Sequence, residues 1–342
     1  MNIQKNVSLA NYSTMKLGGK ARYFIEVMSE NDLISALKFA TDQNINTHIL
    51  GGGSNTIFQQ SGFDGLVIKN SISGIQETEQ DDSLQLKIGG GENWDDVVAL
   101  SVERGFTDIA GLSKIPGSCG AAPVQNIGAY GQQVSDVLIS LRAYDKESQG
   151  FEELTKEQCI FLYRSSRFNT TDKHRFIITS ITLRLKKKSA HPPFYADIST
   201  YFADHFIDKS SVTPEQLRLA TSSVRAIKLP DPSAVANTGS FFKNPTVNEA
   251  TYDKLLVSYP QLKAHKTDDG SLKLYGAQLI DLAGMKDYHD KETGMATWKN
   301  QALVVINEHA DTSDDLLEFK QKIIDAVQSR FGITLVQEPE LI

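Results

Sequence analysis

Apolar positions along this chain recur in two rhythms. Short apolar or alternating runs predict strands at 21–28 (ARYFIEVM), 48–50, 65–69, 84–88, 137–144, 175–186, 301–306 (QALVVI) and 333–336. Helical spacing appears at 31–43, where Leu33, Ile34, Leu37 and Ala40 share a face and Asn31 is a candidate cap. A second helix is predicted over 95–104. A third covers 213–228, with Thr213 as cap and Pro214 at the first helical position. The longest, 312–331, repeats Leu316, Leu317, Ile323, Ile324 and Val327 behind a Thr312 or Ser313 cap.

Two stretches break both rhythms. Gly51-Gly52-Gly53-Ser54-Asn55 follows the strand at 48–50 directly. Residues 111–131 are rich in Gly, Pro and Ala and have no periodicity, and long irregular segments inside folded domains usually serve function. No internal repeat is visible. The segment 187–193 (KKSAHPP) reads as a boundary or an exposed loop.

At 342 residues the chain has room for two or three domains. Its 40% hydrophobic and 23% charged content excludes disordered, collagenous and coiled-coil classes. The net charge of −7 disfavours general binding to nucleic acid or anionic membrane but permits a local basic pocket. Two cysteines, Cys119 and Cys159, are too few for a disulfide framework, and reduced thiols are a simpler reading than one bridge. No run approaches the roughly 20 apolar residues of a membrane helix, and the polar first sixteen residues lack a secretory apolar core. A cytoplasmic location is therefore expected. The seven histidines show no metal-ligand spacing, so no metal site is expected.

Chemistry is concentrated in five segments. The glycines at 51–53 leave backbone N–H groups bare for a phosphate, with Ser54 and Asn55 as added donors, although a plain tight turn fits equally well. The pattern matches neither the P-loop nor the Rossmann fingerprint. Ile115–Gly131 (IPGSCGAAPVQNIGAYG) has small residues that let a planar or phosphorylated ligand approach, with Gln125, Asn126 and Tyr130 to orient it. Cys119 within it reads as a small filler. Tyr163–Phe168 (YRSSRF) carries two arginines suited to a carboxylate or phosphate, or to surface charge. Lys228–Pro232 (KLPDP) and Asn237–Pro245 (NTGSFFKNP) form the fourth, and Ser240 there follows a glycine without any acyl-enzyme signature. Glu338-Pro339-Glu340 is the fifth, and the apolar Leu341 and Ile342 beyond it point to a packed tail.

Taken in order, Asn11–Leu17, GGGSN, the 115–131 loop, YRSSRF, KLPDP, GSFFKNP, NQALVVIN and the terminal EPE resemble the UDP-N-acetylenolpyruvoylglucosamine reductase family of peptidoglycan synthesis. The resemblance implies an α+β chain: an FAD-binding fold of the vanillyl-alcohol-oxidase (PCMH) type in two subdomains, 1–68 and 69–200, then an α+β substrate-binding domain, 201–330. Residues 331–342 would form a strand and tail returning to the active site. It implies non-covalent FAD, held by Gly51, Gly52, Gly53, Ser54 and Asn55 on one side. On the other side lie Ile115, Pro116, Gly117, Ser118, Gly120, Ala121 and Ala122, then Gln125, Asn126, Gly128, Ala129, Tyr130 and Gly131.

The implied reaction is NADPH-dependent reduction of an enolpyruvyl UDP-sugar. Arg164 and Glu340 would stabilise an enolate and Ser240 would protonate it. Tyr195 in PPFYADI marks the type with a substrate-binding tyrosine. Lys228, Lys243, Asn244 and Gln301 are the other substrate candidates. The expected partner is a small-molecule substrate, with no nucleic acid, no membrane and a monomeric state. Competing readings are another flavin oxidase or dehydrogenase of the same superfamily, and a nucleotide-binding module without catalysis.

Overall fold

Lys20–Val27 alternates between exposed and buried positions, which suits a strand with one face on a core. It lies in a four-stranded sheet in the order Gln4–Ser8, Lys20–Val27, Phe63–Asn70, Asn46–Leu50. Asn46–Leu50 runs parallel to Phe63–Asn70, to which it is joined by residues 51–62 with no helix between. The helix between Lys20–Val27 and Asn46–Leu50 is Glu30–Asp42, whose Leu33, Ala36, Leu37 and Ala40 bury against Ile25, Val27, Leu66 and Ile68. Its cap is Ser29 and not Asn31. The Ser29 hydroxyl accepts from the Asp32 N–H at 3.1 Å, and Asn31 lies inside the first turn.

The computed structural model describes residues 2–267 and 269–342. The chain divides into two compact units. The first contains the segments up to Val7, Ala21–Gly52 and Asp64–Ala226. Besides the parallel pair it holds a five-stranded antiparallel sheet ordered Gly150–Thr155, Leu138–Asp145, Phe176–Lys186, Ser83–Gly89, Ile75–Gln80. The helix Trp94–Glu103 packs on that sheet through Trp94, Val97 and Val98, all fully buried. Burial of each such side chain stabilises by about 1.5–3 kcal/mol. The Trp94 indole N–H is satisfied by the Leu112 carbonyl at 3.2 Å.

The second unit gathers Ser8–Lys20, Gly53–Phe63 and Ile227–Ile342. Its main sheet is antiparallel, ordered Ala236–Ser240, Gln301–Asn307, Met295–Trp298, His289–Asp290. Ser313–Phe331 presents Leu316, Phe319, Ile323 and Val327 to a core with Phe241, Met295 and Val305. Thr312 caps it in a reciprocal box with Asp315, and Gly332, at φ +69°, ends it.

The sequence placed a boundary between 200 and 201, whereas the compact units part at 226/227. Ala196–Asp204 and Pro214–Lys228 account for the difference. Ile198, Phe202, Leu217, Ala220 and Val224 close a cluster with Val102 and Ala110 of the first unit. The strand expected at 333–336 is also corrected: those residues pair in no ladder, and the last strand is Glu340–Leu341, parallel to Thr56–Ile57. Among the described residues no helix is long and apolar enough to cross a membrane.

Replacing Thr312 by Ala removes the reciprocal cap of the longest helix and should lower unfolding free energy by about 1 kcal/mol. Urea denaturation followed by circular dichroism checks this.

Candidate active site

The glycine turn after Asn46–Leu50 has no room for side chains. A Cβ on Gly51 would lie 2.5 Å from Ser118 Oγ, and one on Gly52 would lie 2.8 Å from the Gly117 Cα. Gly53 stands at φ +66°, and a Cβ there would meet the Tyr12 carbonyl oxygen at 1.8 Å. Gly51, Gly52, Gly117, Ser118 and Ala121 are thus brought together as bare backbone with one hydroxyl and one methyl. Closely opposed backbone of this kind forms a cradle for phosphate oxygens, and the donor set fits the pyrophosphate of a dinucleotide.

The head of the 115–131 loop is stitched to the turn at 89–94. The Trp94 N–H donates to the Gly117 carbonyl at 3.1 Å, Cys119 N–H to Glu92 at 2.8 Å, and Gly120 N–H to Gly90 at 2.8 Å. A Cβ on Gly120 would fall 3.0 Å from the Gly90 Cα, so that glycine serves close backbone packing. Cys119 is fully buried, and burial pushes its thiol pKa up, which suits a filler. Ala122 is buried too. Ile115 and Gln125 are half-buried, while Pro116 and Ala121 are exposed.

Asn126 was expected to orient a ligand. Its amide works inside the fold, donating to the Leu162 carbonyl at 3.1 Å and accepting from Ser135 N–H at 3.0 Å. Gly128 and Ala129 pair with Gln133 and Gln132 in a short hairpin, and Tyr130 and Gly131 both stand at positive φ. Tyr195, more than half exposed, meets Tyr130 edge-on at 5.8 Å between ring centres.

The two arginines of YRSSRF separate cleanly. Arg167 is held by Asp172 at 2.8 Å and by the Gln158 carbonyl. Arg164 stands at φ +52° in a tight turn closed by Leu162 and Ser165. Its guanidinium donates to the carbonyls of Asn126 and Gly128 in the glycine loop. Arg164 therefore reaches the loop expected to carry the cofactor, and Arg167 does not. A non-glycine residue in this conformation is uncommon and marks a position fixed by its surroundings.

In the second unit, Ser240 ends the strand Ala236–Ser240 beside the fully buried Phe241. The Glu338 N–H donates to the Phe241 carbonyl at 2.9 Å, and Lys243 N–H to Val336 at 2.9 Å. This pairing brings the Ser240 turn and the EPE segment together. The tail is fixed further by Glu340 N–H to the Asn55 carbonyl, Ile342 N–H to Ile57 and Gln59 N–H to Ile342. Ser54 and Asn55 are half-buried at the start of this pairing. Asn244 accepts from Gly276 N–H at 2.9 Å, and Lys228, Lys243 and Gln301 are all half-buried.

Sequence reading passed over one basic face on Pro214–Lys228. Arg218 grips Asp95 at 2.8 and 3.0 Å, and Lys114 N–H donates to the same carboxylate at 2.7 Å. Arg225 donates to the Lys114 carbonyl at 3.2 Å, while its Nε is enclosed with no hydrogen-bond partner among the described residues. The spacing 218, 221, 225 marks one helix face, but only burial shows that it meets the loop. Desolvation works to raise the Asp95 pKa, and the bonds from Arg218 and Lys114 outweigh it, bringing it down to about 2.

Comparison with known proteins matches residues 21–150 to the FAD binding domain family. Residues 231–342 match the C-terminal domain family of UDP-N-acetylenolpyruvoylglucosamine reductase. Proteins named UDP-N-acetylenolpyruvoylglucosamine reductase are 36% identical in Cupriavidus pinatubonensis, over 97% of this chain and 96% of that protein, and 37% identical in Aliivibrio fischeri, over 99% and 94%. The crystal structure of the Thermus caldophilus reductase superposes with a TM-score of 0.67 at 21% identity, over 100% of this chain and 99% of that one. The fold and the matched families define an FAD-dependent oxidoreductase of the α+β class. The chain belongs to the UDP-N-acetylenolpyruvoylglucosamine reductase family.

Gly52→Val forces the cradle open and should weaken FAD retention by tenfold or more, read as flavin absorbance per chain after gel filtration. Asp95→Asn should cost about 2 kcal/mol of stability at pH 7. Because the folded Asp95 pKa is depressed to about 2, its contribution is full above about pH 4 and fades as pH falls toward 2. Denaturation curves of the two proteins should therefore converge across that acid window.

Proposed function

We propose that this chain reduces the enolpyruvyl ether of a UDP-amino sugar to the lactyl ether, with NADPH as reductant and non-covalently bound FAD as the carrier. When bound, the flavin supplies reversible hydride storage between NADPH and the terminal methylene carbon of the enolpyruvyl group. Addition of hydride at that carbon leaves negative charge on the neighbouring carbon and its carboxylate. Arg164, a fixed guanidinium already presented to backbone carbonyls, stabilises that charge. Glu340 assists, and the pinned tail gives it one position. Ser240 delivers a proton to the carbon. Lys228, Lys243, Asn244, Gln301 and Tyr195 hold the nucleotide and diphosphate.

The observation that carries this reading is the pairing of the Ser240 turn with the EPE tail, which gives a proton donor and a carboxylate one fixed backbone frame. Family membership over nearly the whole chain supports the substrate class.

Ser240→Ala keeps the cradle and removes only the donor. Rapid-quench measurement of product should show formation slowed by about 10²–10⁴-fold, with FAD content unchanged. A Ser240→Ala enzyme that forms product at the parent rate contradicts the assignment.

A further inference from the structure

An arginine side chain is long and rich in rotamers, so one that must meet a single developing charge needs both its base and its head held. Arg164 has both. Its base is the turn at Tyr163-Arg164, closed by Leu162 N–H to the Ser165 carbonyl at 2.9 Å and by Ser165 N–H to the Leu162 carbonyl at 3.2 Å. Its head donates to the carbonyls of Asn126 and Gly128 and lies 5.1 Å from the centre of the Tyr163 ring. Backbone carbonyls orient the Arg164 cation without neutralising it, whereas Asp172 neutralises Arg167.

Two enclosed side chains lock that turn to the 115–131 loop. Asn126, 1% exposed and at φ +43°, sends its side-chain amide to the Leu162 carbonyl at 3.1 Å, the same carbonyl that closes the turn. Its side-chain oxygen accepts from Ser135 N–H at 3.0 Å, which fixes the orientation of the amide. Its backbone carbonyl is one of the two that take the guanidinium. Asn126 therefore meets Arg164 at the head and its turn at the base. Ser166, also 1% exposed, donates its hydroxyl to the Val124 carbonyl at 2.6 Å. Asn169 ties the turn from within, donating to the Arg164 carbonyl at 3.4 Å and accepting from Ser166 N–H at 2.9 Å. At this burial neither Asn126 nor Ser166 offers a face to a ligand, and their bonds serve the geometry of the turn.

We propose that Asn126 and Ser166 are positioning residues for Arg164: their bonds to the Leu162 and Val124 carbonyls set the guanidinium where the enolate charge develops. The inference rests on the Arg164 role proposed above. A displacement of about 1 Å in a group aimed at developing charge costs about 10²-fold in rate, and each tie removed leaves the turn freer against the loop. The enolate forms only when the enolpyruvyl substrate is reduced. The two residues therefore act on that half of the cycle and not on reduction of the flavin by NADPH.

The test compares the parent holoenzyme with Asn126→Gly, Ser166→Ala and Arg164→Ala, and with the two doubles that pair each of the first two with Arg164→Ala. Glycine accepts φ +43° without strain, so Asn126→Gly removes the amide and leaves the backbone carbonyl in place. Anaerobic stopped-flow absorbance separates bleaching of the flavin by NADPH from the return of colour with the enolpyruvyl UDP-sugar. Asn126→Gly and Ser166→Ala should keep their flavin per chain and bleach at the parent rate, with reoxidation slowed about ten- to hundredfold. In the Arg164→Ala background neither substitution should slow reoxidation further, because each acts through that guanidinium. Thermal midpoints identify a variant that fails to fold, and the other then carries the same test. Parental reoxidation in a folded single variant overturns the proposal. So does a slowing that persists undiminished in the Arg164→Ala background. Flavin loss or slower bleaching alongside the slowed reoxidation also overturns it, and would assign the residues to holding the cofactor loop. An Arg164→Ala enzyme that reoxidises at the parent rate overturns the Arg164 role itself, independently of the other variants.

Discussion

The arrangement of the glycine-rich loops depends on one close approach, Gly52 against Gly117. At 2.8 Å from a hypothetical Cβ to the opposing Cα, no other residue fits, and the two loops meet as bare backbone. That contact fixes the head of the 115–131 loop beside the turn at 51–53. The rest of the loop then becomes a scaffold. Arg164 is anchored to its carbonyls, Tyr195 leans on Tyr130, and Asn126 is consumed in holding the loop to Leu162 and Ser135. Small residues here bring backbone to backbone.

A second constraint organises the groups proposed as catalytic in the other unit. Glu340 is followed by two residues in this sequence, a position where backbone ordinarily frays. Here two pairings, to 241–243 and to Thr56–Ile57, hold the tail on both sides. The apolar Leu341 and Ile342 contribute chiefly through their backbone, since Leu341 is more than a third exposed.

Much of this was legible in the sequence where the signal is local. The Thr312 cap, the Pro214 start and the buried strand at Gln301–Asn307 follow from neighbouring residues. The α+β class and the cofactor followed from the ordered motifs. What was not legible depends on residues far apart in the chain. Glu340–Leu341 is a strand only because Thr56–Ile57 lies beside it, while the apolar run at 333–336 finds no ladder partner. Arg164 and Arg167 look equivalent in YRSSRF until Asp172 claims one of them. Asn126 looks like a ligand donor until its bonds are traced. Arg225 carries no motif at all, and only enclosure of a polar atom marks it. The boundary moved to 226 because two helices with ordinary amphipathic patterns bury on Val102 and Ala110.

The most direct test of the central claim is an anaerobic titration followed in the visible spectrum. The purified chain should be yellow, bleach with stoichiometric NADPH, and regain its colour on addition of the enolpyruvyl UDP-sugar. Flavin that bleaches but is not reoxidised by that substrate contradicts the substrate assignment. A chain that retains no flavin contradicts the cradle on which the whole account rests.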